Sequence, residues 1–224
     1  MIYNFNTKPL VRGPVVENAD PRLIEATPQL RRAALSDAVL FGGPLVRQAL
    51  QSAPLVGDRK HVIVDTKVSM LMPGWCPAIP GWHTDGVPRG DSGNPASSGM
   101  PSLERQQFRA DNGYFPRFHT VVFGVPCMTQ YVTDRMSMEV NGETPELYSD
   151  MTAQVQELLP RLNIATPDIG EWASWDWWQV HQATKSADRG WRLLIRVTES
   201  SDVAPAPNFI RTQSQVYVEH NYGW

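Results

Sequence analysis

The segment WRLLIRVTES, residues 191–200, is the strongest strand prediction in the sequence and constrains the fold most. Side chains two residues apart along a strand share one face of the sheet. One face of this segment is apolar and comprises Trp191, Leu193, Ile195 and Val197. The other face carries Arg192, Leu194 and Arg196. The apolar face predicts burial against a core, and the two arginines lie either in water or in a binding site.

Other segments predict a chain that is mainly β with flanking helices (α+β). HVIVDTKVSML (61–71) alternates as a strand does, and FHTVVFGV, MTQYVTD and FIRTQSQVYVEH (209–220) predict three more strands. Asp20 as N-cap and Pro21 in the first turn predict a helix over ADPRLIEATPQLRRAALSDAVLF. GGPLVRQALQSA predicts a second helix, and TPELYSDMTAQVQELLPRL a third.

Residues 86–117 are rich in Gly, Pro, Ser and Asn and show little periodicity. A loop of this length inside a domain is typical of a functional lid, which is what we expect here. The length of 224 residues favours one domain, 1–224. Within it we expect a helical N-terminal part, 1–60, and a β-rich core, 61–224.

Composition narrows the functional classes. The formal net charge of −3 and the lack of a basic stretch do not suggest nucleic acid or an anionic membrane as a partner. The N-terminus lacks a signal-peptide pattern, and no apolar run approaches the ~20 residues that cross a bilayer. Cys76 and Cys127 have no zinc-site spacing, so we expect free thiols in a reducing compartment. We therefore expect a soluble, cytoplasmic protein.

The segment PAIPGWHTDGVPR places His83 and Asp85 two residues apart. On extended backbone both side chains point the same way, with Cα atoms ~6.5–7 Å apart, so they can converge on one ion. Gly81 and Gly86 allow the chain to bend around such a site. The alternative is a solvated turn in which Asp85 hydrogen-bonds its own backbone.

A third candidate ligand, His181, follows the Trp-rich segment GEWASWDWWQV and precedes the strong strand. The order H-x-D … H … R resembles that of the iron(II)/2-oxoglutarate-dependent dioxygenases. The resemblance covers residues 78–89 and 170–199. His83 and Asp85 match the proximal ligand pair of that family, and His181 matches its distal histidine. The alternative is that His181 is a structural histidine at the end of a strand, hydrogen-bonded to a carbonyl group.

The same resemblance implies roles for residues around the metal. Arg192, eleven residues after His181, matches the arginine that holds the distal carboxylate of 2-oxoglutarate. Arg196 falls where some members place a second arginine that binds an acidic substrate or helps to hold the cosubstrate. Thr129 or Tyr131 is a candidate hydrogen-bond donor to a cosubstrate carboxylate.

The resemblance implies a double-stranded β-helix (jelly-roll or cupin-like) core. It implies iron(II) as the metal, 2-oxoglutarate as cosubstrate and dioxygen as co-reactant. The expected reaction is hydroxylation of an unactivated C–H bond in a small-molecule substrate. Arginines in or near the predicted lid suit an anionic substrate, such as a carboxylate or an amino acid, although a solvated surface is the alternative: Arg89, Arg105, Arg109, Arg117 and Arg196.

Two further features have structural interpretations. The cluster Trp172, Trp175, Trp177 and Trp178 predicts core packing rather than a substrate platform. His119 predicts a core or surface histidine, with pocket lining as the alternative.

Two rival functions remain open. The first is a cupin-type metal enzyme, a dioxygenase or isomerase, that keeps the three ligands but has no need of Arg192. The second is a non-catalytic β-sandwich that binds no metal and has a binding or structural role.

Overall fold

The structure is a computed structural model and describes residues 1–85, 103–104, 116–140, 147–212 and 214–218. The predicted lid, 86–117, lies almost entirely outside the described residues. The candidate substrate residues Arg89, Arg105 and Arg109 lie outside them as well.

The described chain is mainly β, with antiparallel sheets and a few helices. The strands are β1 (Ile2–Phe5), β2 (Val11–Val15), β3 (Ala33–Ala34), β4 (His61–Leu71), β5 (Arg117–Gly124), β6 (Thr129–Val132), β7 (Met136–Glu139), β8 (Ile164–Ala165), β9 (Glu171–Asp176), β10 (His181–Ala183) and β11 (Gly190–Ser200). The α-helices are α1 (Pro21–Glu25), α2 (Leu35–Phe41), α3 (Gly43–Leu50) and α4 (Leu147–Leu158), and a short 3₁₀ turn covers Leu159–Arg161. No helix in these ranges is long and apolar enough to span a membrane.

Two sheets dominate. The large sheet has the order β2-β9-β5-β11-β4-β3, and the small sheet has the order β10-β6-β8. The strand partners from β4 onward are nested. β6 pairs with β8, β5 with β9, His83 with His181 of β10, and β4 with β11, all antiparallel. The chain therefore folds back on itself as one long hairpin whose arms pass between the two sheets.

The two faces of β11 pack as the alternation of the sequence predicts. Leu193, Ile195 and Val197 are fully buried in a core that also contains side chains of α1, α2 and α3. The opposite face, with Arg192 and Arg196, is turned away from the helices. The apolar side chains of β11 thus pack the large sheet against α1, α2 and α3. The polar side chains Arg192 and Arg196 lie on the face where a site can form.

A second core lies on the other side of the large sheet. Phe118 of β5, Tyr131 of β6 and Trp175 of β9 belong to it, and Leu147 and Met151 of α4 close it. Three of the four clustered tryptophans lie in this core, and Trp172 lies in the first one. The prediction that these tryptophans pack in the core is confirmed.

The prediction of a helical N-terminal part, 1–60, is not confirmed. This part contains β1, β2 and β3 as well as three short helices. The helix that begins at the N-cap Asp20 ends at Glu25 instead of continuing to Phe41. Pro28 disfavours helical backbone at Thr27, which explains the break.

The predicted strand at 209–220 is not formed in the described residues of that segment. Ile210 makes a single bridge to Leu30, and Tyr217 makes one to Cys76. The segment pairs with two different parts of the chain through one residue each, so its described residues form no continuous ladder. The other strand predictions and the helices α3 and α4 are confirmed.

Replacing Gly124 by alanine should lower the free energy of unfolding by about 2 kcal/mol or more. Gly124 is the strand partner of Arg192 and has φ +96°, and a Cβ there would stand 2.0 Å from the Trp191 carbonyl oxygen. Gly57→Ala is the matched control, because Gly57 has φ +74° but no atom within 4 Å of its Cβ position. Urea denaturation of both variants separates the clash from the backbone strain. Equal losses would contradict the clash.

Candidate metal centre

The candidate centre is built on one antiparallel bridge between two distant segments. The His83 amide donates to the His181 carbonyl at 3.0 Å, and the His181 amide donates to the His83 carbonyl at 2.9 Å. Side chains of such a pair project from the same side of the sheet. The two imidazole rings accordingly lie with their centroids 4.6 Å apart.

Both imidazoles are oriented by the backbone in the same way. His83 Nδ1 lies 2.9 Å from the Gly81 carbonyl oxygen, and His181 Nδ1 lies 2.9 Å from that of Gln179. A carbonyl oxygen only accepts, so each Nδ1 carries the proton and donates. Each Nε2 is left with its lone pair. Histidines that bind a metal through one ring nitrogen usually donate a hydrogen bond from the other, as Nδ1 does here.

Asp85 completes the cluster. One ligand atom from each of His83, Asp85 and His181 lies within 4.8 Å of the other two. Asp85 Oδ1 stands 3.9 Å from His181 Nε2, while Oδ2 accepts a 2.9 Å hydrogen bond from Arg196. Divalent metals bind nitrogen and carboxylate ligands at ~2.0–2.2 Å, so one ion can bridge atoms at these separations after small side-chain shifts. The predicted convergence of the three side chains is confirmed.

Aromatic side chains surround the two histidines. His83 stacks on Tyr148 with centroids 4.9 Å apart, and the His181 ring lies 4.5 Å from that of Trp175. Burial lowers the pKa of His181, and the Asp85 carboxylate only partly opposes this. A neutral imidazole is the form that binds metal, so the surroundings of His181 favour the protonation state that a metal ligand needs.

Arg196 lies at the site, but it is already paired. Its guanidinium donates to Asp85 at 2.9 Å and stands 3.6 Å from an Asp65 oxygen. Asp65 is the direct strand partner of Arg196 on β4. Arg196 therefore fixes one oxygen of Asp85 and leaves the other to face the histidines.

Arg192 is almost completely buried, with 2% of its surface exposed. Its Nε donates to the Cys127 carbonyl at 2.6 Å. Among the described residues, no carboxylate pairs with its guanidinium. Burial lowers the pKa of Arg192. A buried cationic fork without a counter-ion is suited to binding a carboxylate.

Thr129 lies further from the centre than Tyr131. Tyr131 is the strand partner of His181, whereas Thr129 pairs with Ala183. The Tyr131 hydroxyl lies 3.0 Å from that of Thr120. Thr129 lies near enough to lower the pKa of Tyr131, against the larger effect of burial. Burial raises the pKa of Tyr131, so its hydroxyl stays protonated and can donate. Thr129 is thus connected to the site through Tyr131.

His119 and Arg117 lie away from the centre. His119 is fully buried and bonds to Ser174 at 2.7 Å and to Glu199 at 2.8 Å. Arg117 pairs with the half-exposed Asp58 at 3.0 Å. His119 is thus a core histidine, as predicted, and Arg117 is not available to a substrate beside Asp85.

A cavity of about 1190 Å³ opens beside Asp85. Its walls include Asp65, Lys67 and Arg196 from the polar faces of β4 and β11, together with Phe118 and Trp177. Arg211, from the segment that follows β11, lines it as well. The sequence interpretation missed Asp65 and Lys67. The signal was present, because both lie on the face of residues 61–71 opposite the alternating valines.

No protein-family model, no curated protein and no solved structure matches the chain. The interpretation of the centre therefore depends on its geometry.

His83→Ala and His181→Ala should each abolish binding of one equivalent of Co²⁺ or Zn²⁺, measured by calorimetry under anaerobic conditions. Loss of one of three ligands leaves too few donors for a tight site. His61→Ala is the control, because His61 lies at the start of β4, outside the cluster. Unchanged binding in both site variants, or no binding by the wild-type protein, would contradict the assignment.

The Lys67 amine should react with an acylating reagent at half its maximal rate near pH 8. Burial and, to a smaller extent, the charges of Arg192 and Arg211 together lower the pKa of Lys67 to about 8. Removing one positive neighbour in Arg211→Gln should shift the profile to higher pH. Mass spectrometry of labelled peptides reports the profile, with the exposed Lys8 as reference. A midpoint near the ordinary lysine value of ~10.4 would refute it.

Proposed function

We propose that the protein is an iron(II)- and 2-oxoglutarate-dependent oxygenase that hydroxylates an unactivated C–H bond of a small anionic substrate. We further propose that its two main sheets form a double-stranded β-helix. Three features of the chain support this proposal: the order of the strands, the donor set and the buried arginine on β11.

The nested strand pairs support the fold assignment. From the outermost to the innermost, the pairs β4·β11, His83·His181, β5·β9 and β6·β8 alternate between the large sheet and the small one. A hairpin rolled up in this manner is the topology expected of a jelly roll. It would place the metal ligands where the strands of the small sheet meet the open cavity.

The donor set fits a redox-active divalent metal. Two neutral imidazole nitrogens and one carboxylate on one side of an ion leave its other positions open. Iron(II) at His83, Asp85 and His181, together with 2-oxoglutarate and dioxygen, would supply the oxidising chemistry. The role of the chain is to hold and shield the reactants. Trp175 and Tyr148 exclude water from the two histidines, and Arg196 fixes the orientation of Asp85.

The burial of Arg192 without a carboxylate partner among the described residues is the single observation that supports the cosubstrate assignment. It shares a strand face with Arg196, which contacts Asp85, and the two Cα atoms are ~13 Å apart at the usual rise of a strand. A dicarboxylate that reaches from the metal along β11 would meet the guanidinium of Arg192. Its carboxylate would supply the counter-ion that the described residues do not provide.

One observation favours the rival cupin-type enzyme that uses no 2-oxoglutarate. The cavity beside Asp85 is lined by Arg196 and not by Arg192. An enzyme of that kind would need the three metal ligands alone, and Arg192 would then stabilise the strand through its bond to Cys127.

Addition of 2-oxoglutarate to the anaerobic iron(II) protein should produce a metal-to-ligand charge-transfer band towards the red end of the visible spectrum. Arg192→Gln should weaken the affinity for 2-oxoglutarate at least about tenfold, because it removes a charge-assisted hydrogen bond to the carboxylate. Iron(II) affinity should not change.

Arg161→Gln, an exposed arginine on the 3₁₀ turn, is the matched control for loss of a positive charge. Equal affinity in wild type and Arg192→Gln would favour the cupin-type alternative. Absence of the band in the wild-type protein would rule out the cosubstrate assignment.

A further inference from the structure

The cavity beside Asp85 is bounded on one side by a C-terminal segment, of which residues 201–212 and 214–218 are described. This segment is tied to the rest of the chain by backbone hydrogen bonds. The amide of Arg211 donates to the Gln29 carbonyl at 2.8 Å, and the amide of Arg31 donates to the Phe209 carbonyl at 2.7 Å. The backbone of Arg211 is thereby fixed in place where its side chain lines the cavity.

The charges that line this cavity are not balanced. Five cationic side chains line it, against three carboxylates: Arg31, Arg32, Lys67, Arg196 and Arg211, with Asp65, Asp85 and Asp202. Asp85 and Asp65 are both engaged by Arg196. Asp65 also accepts from the Arg32 amide at 3.1 Å and stands 3.8 Å from the Arg211 guanidinium. The carboxylate of Asp65 is thus shared among several donors.

Arg31 and Arg32 are exposed to solvent, whereas Lys67 and Arg211 are partly buried with little compensation. Among the described carboxylates, Arg211 reaches only Asp65, at 3.8 Å, which Arg196 also engages. The Lys67 ammonium donates to the Pro77 carbonyl, and no described carboxylate pairs with it. Arg211 Nε is buried and has no hydrogen-bond partner in the described structure. Burial together with the charges of Arg192 and Arg211 lowers the pKa of Lys67, as expected of an ammonium group in an uncompensated positive field. A bound anion would reduce the electrostatic cost of burying both positive charges.

We propose that Lys67 and Arg211 bind the carboxylate of an organic-acid substrate, whose apolar body lies along Phe118, Trp177 and Ile210. Those three side chains line the same cavity as Asp85 and offer apolar surface there. Arg196 is excluded from this role, because Asp85 and Asp65 already occupy its guanidinium. The inference deepens the proposed function and rests on it, because the carboxylate is assigned to the substrate rather than to the cosubstrate.

The test uses the Zn²⁺-loaded protein and octanoate as the probe, with binding followed by calorimetry. Lys67→Gln and Arg211→Gln should each weaken octanoate binding at least about tenfold, since each removes a charge-assisted hydrogen bond. Lys67→Arg should retain most of the affinity. Arg161→Gln is the control for loss of one exposed positive charge, and thermal unfolding shows that each variant is folded.

Two comparison ligands separate recognition of the carboxylate from other effects. Binding of 1-octanol, which has the same apolar body without the charge, should be equal in all variants. Octyl phosphate should bind more weakly than octanoate. Tighter binding of octyl phosphate would show that the site recognises a phosphate group, and would overturn the assignment of a carboxylate. Losses of the same size for octanol and octanoate would show a merely structural role and overturn the proposal.

The anaerobic 2-oxoglutarate titration distinguishes failure of this inference from failure of the proposed function. Lys67→Gln and Arg211→Gln should leave the affinity for 2-oxoglutarate within about twofold of wild type, whereas Arg192→Gln lowers it. If Lys67→Gln lowers it as much as Arg192→Gln does, Lys67 belongs to the cosubstrate and the inference is wrong. If wild type binds octanoate in a Lys67-dependent manner but shows no charge-transfer band, the anion site holds and the proposed function fails.

Discussion

The reciprocal backbone hydrogen bonds between His83 and His181 are the contact on which the candidate centre depends. They join the segment after β4 to β10 and set both imidazoles on one side of the same short ladder. Each imidazole is then turned by a carbonyl two residues before it in sequence. The ligand geometry therefore comes from paired backbone, that of β10 and that of the segment that follows β4. Preorganisation of this kind is what tight metal binding needs.

Electrostatic pairing extends the centre across the large sheet. Asp85, Arg196, Asp65 and Arg211 follow one another as alternating charges, and the link between Arg196 and Asp65 is a direct cross-strand pair. The sheet register that places the apolar face of β11 against the helices also places Arg196 over Asp65. A slip of one residue would turn both arginines of β11 towards the helical core. Stability of the core and geometry of the site are thus set by the same register.

Much of this arrangement could be predicted from local sequence. The period-two pattern of β11 predicted both of its faces, and the resemblance to the H-x-D … H … R pattern predicted that His83, Asp85 and His181 come together. The partners of Arg196 could not be predicted, because Asp65 reaches it through a pairing between strands far apart in the chain. The same holds for Arg211, whose segment shows strand-like alternation but makes only single bridges. The short strands β1 and β2 were missed because their partners, β7 and β9, lie far away in sequence.

The cost of burying charge explains why Arg192 and Lys67 point to bound anions. A guanidinium that is 2% exposed loses its hydration, and one hydrogen bond to the Cys127 carbonyl replaces only part of it. Lys67 stands close enough to Arg192 for the two charges to repel each other. A methionine would fill either position at lower electrostatic cost, so packing alone does not account for the two cations. Two anionic groups, one from a cosubstrate near Arg192 and one from a substrate near Lys67 and Arg211, would account for both cations and for the face of β4 and β11 that carries them.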